Sequence, residues 1–426
     1  MPVDDSRCEC VPPGTPAEST LSRHGLNWLN FFLAAIQTGF GPFVAVYLAE
    51  SHWSATDIGL VLSVGTIAGL VGQVPAGVLV DVVHHRRNLI AAAMLTLQGC
   101  ALALAIVPAD GWVWGVKVLH ALTSCVLTPA VAAMTLALCG HASYSARLGI
   151  NARYASLGNA FAAAMLGACA YYVSQRMVFV MTAALTMPAL VALFAIRRTD
   201  RLAPHGQHPA LLTPRERRLR NERMWHTFQE PAMLVFIVCV VLFHMANTAM
   251  LPFALNGLSL RSTQTGLVTS ATIIVPQIIV AMASPWTGVM AQRLGRRPVM
   301  IVGFAAVPLR GLLLAFAPGP LALVGIQVLD GVSATVFGLM LPLIAADVTQ
   351  RTGFMNMAIG VFGLAAGVGA TLSTALAGWM TDAWGADSAF LGLAGAGAMA
   401  WVLVFLAMPE TRPTSMPHAQ SPLIPA

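Results

Sequence analysis

The chain has 426 residues, of which 57% are hydrophobic and only 9% charged. A soluble domain carries roughly 25% charged residues and must cover its outside with polar groups, so this composition excludes a water-soluble globular protein. The formal net charge is +6, but the arginines sit in short gaps between apolar runs, a pattern of membrane orientation rather than of nucleic-acid binding.

In chain order, residues 1–24 are polar and contain proline. They read as a disordered cytoplasmic tail with no signal peptide, and Cys8 and Cys10 within them form too small a set for a metal site. Twelve runs follow that approach the ~20 apolar residues needed to span a bilayer: 25–49, 56–80, 88–108, 112–139, 149–173, 177–196, 231–254, 264–290, 298–317, 320–346, 354–381 and 386–408. Most gaps are short, so neighbouring helices are expected to be antiparallel. Residues 197–230 form a basic cytoplasmic linker that separates an N-terminal six-helix bundle (25–196) from a C-terminal one (231–408). Within the linker, 214–225 reads either as an amphipathic surface helix or as unstructured chain. The proline-rich segment 409–426 reads as a second disordered cytoplasmic tail. The remaining five cysteines lie in apolar runs, where the thiol acts as a small hydrophobe.

Basic residues set the orientation. If the N-terminus is inside, then Arg86, Arg87, Arg147, the linker, Arg293, Arg296, Arg297 and Arg351 are cytoplasmic. Glu50, Asp57, Asp110, Asp382 and Asp387 face the other way, with Arg176 and Arg261 against the trend. Both termini are therefore expected on the cytoplasmic side of a multi-pass protein, placed in a bacterial cytoplasmic (inner) membrane and expected to be monomeric.

The two sets of six runs repeat. Gln37-Thr38 followed by Pro42-Phe43 returns as Asn247-Thr248 followed by Pro252-Phe253, shifted by 210 positions. Lys117-Val-Leu-His120 returns as Gln327-Val-Leu-Asp330 at the same shift, and Gly77 to Arg87 returns as Gly288 to Arg297 at about that shift. Several pairs at one offset imply a duplicated bundle, whose site is expected at the interface of the halves near mid-membrane.

Gly77-x-Leu79-x-Asp81 followed by Arg86-Arg87 resembles the loop 2–3 motif of the major facilitator superfamily, and Gly288 to Arg297 resembles its weaker copy in loop 8–9. The resemblance covers the whole twelve-run region. It implies the fold of that family: an all-α membrane protein with twelve transmembrane helices in two pseudo-symmetric bundles. It also implies a gating role for Gly77, Asp81, Arg86, Arg87, Gly288, Arg296 and Arg297, with Asp81 capping a facing helix or pairing with Arg86 or Arg87. The sequence departs from the family pattern at Val82, His84 and Gln292. Lys117-Val-Leu-His120-Ala121 partly resembles the fourth-helix motif of proton-coupled drug antiporters, while residues 158–172 lack the Gly-Pro motif usual in those proteins.

Ionisable groups in a bilayer core are costly, so each is a functional candidate. Lys117 and His120 are three apart and share a helix face. Asp330 is the only deep carboxylate, and Arg310 on the preceding run falls at similar depth, so the two are expected to pair, either as a static ion pair or as one broken during transport. His244 and Asn247 share a face of the seventh run, and Gln37 is the repeat mate of Asn247. In the superfamily, helices one, four, seven and ten line the cavity. The candidate substrate or proton-binding set is therefore Gln37, Lys117, His120, His244, Asn247, Arg310 and Asp330. Phe40, Phe43, Tyr47, Phe253 and Phe337 are candidates for apolar contact.

No metal cluster, no cofactor signature and no nucleophile beside a base is visible, so no enzyme activity is expected. The sequence points to a secondary transporter that moves a small polar or anionic solute by alternating access. The expected coupling ion is H⁺, and the partial fourth-helix match favours export. The alternatives are an uptake symporter for a carboxylate, sugar or nucleoside, and a non-transporting membrane sensor.

Overall fold

The computed structural model describes residues 20–40, 42–83, 85–106, 110–196, 215, 218, 222, 225, 228–259, 265–316, 319–350 and 352–412. Every regular element among them is a helix. Eleven helical segments are long and apolar enough to cross a membrane. A bilayer core leaves no water for backbone groups, so an apolar chain that crosses it must satisfy them within helices. The outer surface is apolar too: Ile67, Val71, Val191, Met282, Trp286 and Val302 are all exposed.

The first run is two helices, α1 (Thr20–Gly39) and α2 (Pro42–Glu50). Pro42 opens α2, where its missing N–H costs nothing. Then come α3 (Ala55–Val82), started by the Ser54 hydroxyl accepting from the Asp57 amide at 3.1 Å, and α4 (Arg86–Ile106). The Arg176 guanidinium donates to the Ala105 carbonyl at the end of α4.

The fourth and fifth runs form one helical assignment, α5 (Asp110–Tyr172), broken at Gly140 with φ 67° and ψ 171°. A straight helix of that length would be roughly 90 Å long, three times a bilayer core. It folds back instead. Asn151 donates to the Thr135 hydroxyl at 2.9 Å and Tyr144 to the Ala132 carbonyl at 3.4 Å. These bonds place the limbs before and after Gly140 side by side. The loop expected at 140–148 is thus reduced to a single turn, because glycine alone adopts that backbone conformation readily.

The sixth run divides into α6 (Gln175–Ala184) and α7 (Thr186–Ala195). Pro188 has no N–H to offer the Ala184 carbonyl, so the helical ladder is interrupted there. The second group comprises α8 (Pro231–Asn247), α9 (Met250–Ser259), α10 (Thr265–Leu294), α11 (Arg296–Ala315), α12 (Pro320–Val348), α13 (Met355–Trp384) and α14 (Ala386–Ala407). The break between α8 and α9 matches the one between α1 and α2. It exposes the Ala249 amide, which donates to the Ser373 hydroxyl at 2.9 Å.

One buried apolar cluster draws its residues from α8 to α14, joined by Ala132, Tyr144 and Leu148 of α5, while three smaller clusters lie within α1 to α7. Of the linker, Arg215, Arg218, Glu222 and Trp225 are helical, and Arg218 donates to Glu222 at 3.0 Å. Arg261 and Arg351 lie outside the described residues, as do Cys8, Cys10 and His84. Of the segment expected to be a C-terminal tail, residues 409–412 are described and make contacts. Glu410 accepts from the Arg296 and Arg297 amides at 2.8 and 3.1 Å, and so caps α11. Residues 413–426 lie outside the described residues.

Candidate functional site

Two features emerge: a buried polar layer across the bundle, and a sealed seam between that layer and the face carrying Arg23, Arg87, Arg296 and Glu410. The centre of the layer is Arg310 on α11, with 1% of its surface exposed. Nη1 donates to Asp330 Oδ1 and to Asn247 Oδ1, each at 2.6 Å, and Nη2 donates to Gln327 Oε1 at 2.8 Å. Asn247 Nδ2 donates to the same Asp330 oxygen at 3.2 Å. The expected approach of Arg310 and Asp330 is therefore present as an ion pair, set between two amides that take up two further guanidinium bonds, while the buried Arg310 Nε has no partner among the described residues. The added bonds matter, because a buried ion pair repays its desolvation only when further hydrogen bonds are made. The Asp330 side chain is 18% exposed, and both of its described bonds fall on Oδ1.

Lys117 and His120 lie elsewhere in the layer, on the first limb of α5. Both meet Phe40, at the break between α1 and α2. The Lys117 ammonium donates to the Phe40 carbonyl at 3.5 Å, and the His120 ring stacks on the Phe40 ring at 3.9 Å between centroids. His120 Nε2 also lies 3.4 Å from the Ser124 hydroxyl. His244 stays one turn from the Arg310 network: its Nδ1 is 3.1 Å from the Val240 carbonyl and its ring meets the edge of Phe337. Of the aromatic candidates, Phe40, Tyr47 and Phe337 are core residues; the Tyr47 hydroxyl donates to the Leu104 carbonyl at 2.9 Å.

Gln37 belongs to a separate crevice of about 340 Å³, lined by Gln37, Thr38, Asn159, Ala160, Ala163, Ile273, Ile274 and Gln277. The Thr38 hydroxyl donates to Asn159 Oδ1 at 3.0 Å, and Asn159 Nδ2 reaches Gln277 Oε1 at 3.5 Å. Sequence reasoning missed Asn159 and Gln277. The signal was there: carboxamides deep inside apolar runs. Gly331 packs on Pro276 and Ile279 of α10, which sets Asp330 at the depth of Gln277. At 1.5 Å per residue, Thr38, Asn159, Asn247, Gln277, Arg310 and Asp330 all lie roughly 20–30 Å from that same face.

The seam joins α3 to α13 and the second limb of α5 to α10. Asp81 Oδ1 accepts from the Asn356 amide at 3.2 Å and its side chain at 2.7 Å, and Oδ2 accepts from the Met357 amide at 2.8 Å. A carboxylate thus satisfies two of the unpaired N–H groups at the start of α13 and meets its positive dipole end. At Gly77 and Gly360 the backbones touch so closely that a Cβ would strike the Asn356 and Gln73 carbonyls. On the other side, the Ser145 hydroxyl donates to the Gly288 carbonyl at 2.6 Å, Gln292 to Ala142 at 2.6 Å and Arg153 to Ala281 at 3.0 Å. Gln292, the repeat mate of Asp81, therefore donates to a carbonyl where Asp81 accepts from amides. Further in, at the polar layer, the long contact between Asn159 and Gln277 joins the same limb of α5 to α10.

Arg87, Arg296 and Arg297 do not cross the seam. Arg87 donates to the Ile196 carbonyl at 3.3 Å and lies over the Phe194 ring at 4.9 Å. Arg296 pairs with the buried Asp347 at 2.9 Å, and Arg297 donates to the Phe405 carbonyl at 2.5 Å. They brace the loops within their own halves.

This is an integral, multi-pass membrane protein whose described elements are helices, with buried polar groups at one depth in both groups of helices. The family model of the Major Facilitator Superfamily matches residues 26–275 and again 233–426. The chain belongs to that superfamily, as the loop motifs led us to expect. Proteins from two strains of Mycobacterium tuberculosis, both described as uncharacterized MFS-type transporters, are 35% identical to it over 393 residues, covering 91% of this chain and 93% of theirs. Two crystal structures of the fucose:proton symporter FucP share its fold, one of the Escherichia coli protein and one described as in the outward conformation. Their TM-scores are 0.71 and 0.70 at 14% identity, covering 91% and 90% of this chain and 98% of each symporter chain.

Proposed function

We propose that the chain is a proton-coupled secondary transporter of a small polar solute, working by alternating access between halves at 25–196 and 231–408. The fold-back of α5 at Gly140 supports counting its limbs as two spans and the total as twelve, and the arginine distribution supports cytoplasmic termini. In that orientation the sealed seam closes the cytoplasmic side and the conformation faces outward. The partial fourth-helix match supports export.

The observation that carries the proposal is the Arg310–Asp330 pair inside the bundle. A carboxylate at this depth is costly unless paired, and Asp330 Oδ2 has no hydrogen bond among the described residues, so it is the atom assigned to the proton. Protonation there removes the charge that Arg310 faces and frees the network to rearrange. The test uses a solute found by thermal shift on the purified protein, since binding stabilises the folded state. In proteoliposomes, Asp330→Asn is expected to keep solute exchange and lose accumulation driven by a pH gradient. Wild-type accumulation by the variant across pH 5–8 rules the role out.

A further inference from the structure

The crevice at Gln37, Thr38, Asn159 and Gln277 lies apart from the Arg310 network. None of its eight lining residues is ionisable. In surroundings of low dielectric constant a charged ligand needs a counter-charge at close range, and this wall has none. The charged groups closest in the chain and at similar depth are already engaged, Arg153 by the Ala281 carbonyl, Arg310 by three acceptors and Lys117 by the Phe40 carbonyl. Three carboxamides and a hydroxyl supply both donors and acceptors, the pairing that hydroxyl and amide groups of a solute require. The described bonds use only part of this capacity. Asn159 Oδ1 takes the Thr38 hydroxyl, the contact between Asn159 and Gln277 is long, and the Gln37 carboxamide and Gln277 Nε2 have no protein partner among the described residues. The volume of about 340 Å³ lies at the small end of ligand sites.

We infer that this crevice is the recognition subsite for an uncharged solute bearing hydroxyl or amide groups, with Asn159 and Gln277 as its specificity-determining residues. The inference rests on the transport proposal and narrows it by excluding anions and cations as the preferred cargo. The subsite also has a mechanical consequence. Gln37 and Asn159 belong to one half and Gln277 to the other, so a ligand bonded to both sides binds only one relative position of the halves. Such differential affinity is what shifts a conformational equilibrium.

The test is thermal unfolding of the purified full-length protein with uncharged probes (myo-inositol, D-glucose, uridine, glycinamide) and charged ones (malate, benzoate, tetramethylammonium). At least one uncharged probe is expected to raise the midpoint, and no charged probe to do so. Gln277→Ala and Asn159→Ala should each weaken the response at least tenfold in probe concentration. Ala163→Leu fills the crevice without touching the amides and should abolish the response, so the test survives misfolding of an amide variant. Stabilisation by charged probes alone, by no probe, or by an uncharged probe in all three variants overturns the subsite. Flux in proteoliposomes separates this from the parent proposal. Transport of a charged solute unaffected by Gln277→Ala leaves the transporter and removes the subsite. Stabilisation dependent on Gln277 without any flux leaves the subsite and removes the transporter.

Discussion

Arg310 illustrates how much a single buried charge demands of its surroundings. It is fully enclosed, and three side chains from α8 and α12 converge on its guanidinium. Removing one partner of a buried ion pair typically costs about 3–5 kcal/mol, because the other charge is stranded. Arg310→Met is accordingly expected to lower the unfolding midpoint sharply in detergent, and the double variant Arg310→Met/Asp330→Asn to lose less than the sum of the single changes. Additive losses would show that the pair is not coupled. The pair was legible in the sequence because ionisable residues stand out in an apolar run and the short turn between runs fixes their relative depth. Gln327 was legible only as the repeat mate of Lys117, not as the partner of Arg310. Asn159 and Gln277 were harder still, since the direction in which an amide points depends on helix rotation, which apolar periodicity leaves open when a helix is hydrophobic all round.

Among the elements, α5 shows how one backbone position organises two long limbs. Gly140 combines positive φ with extended ψ, a region essentially reserved for glycine, where other residues cost about 1–3 kcal/mol. A Cβ there meets open space, so the penalty of Gly140→Ala is one of backbone conformation alone. The expected result is a lower unfolding midpoint with unchanged ligand affinity once folded; an unchanged midpoint contradicts the strain. Hydropathy located the membrane segments well, because a bilayer sets their length. It did not separate α1 from α2 or α8 from α9. Pro42 and Pro252 were visible as repeat markers, yet a proline near a helix start and one inside a helix look alike in sequence. The nearby carbonyl and amide are then met by Lys117 and Ser373, through contacts between distant segments.

For the whole molecule, the seam is where one half holds the other. The Asp81 cap on α13 joins residues 275 apart, and it is a carboxylate device with no copy on the opposite side, where Gln292 donates instead. Asp81→Ala is expected to shift the population toward opening at this face. Spin labels at Asn88 and Leu294, one on each half, should show a longer distance component in the variant than in the parent protein; identical distributions would remove Asp81 from gating. The loop motif was readable as a pattern, but its asymmetry was not, because Gln292 differs from Asp81 in what it can donate, and that matters only once the facing backbone is known. The Glu410 cap carries a different consequence, for biogenesis. The amides it satisfies at Arg296 and Arg297 emerge more than 110 residues earlier. At about 5–20 residues per second of synthesis, the start of α11 waits roughly 6–23 s for its partner. During that interval the loop needs water or lipid headgroups as a stand-in. Insertion of the second half is thus completed from its far end, and ribosome stalling within α14 would leave the preceding helices assembled around an uncapped terminus.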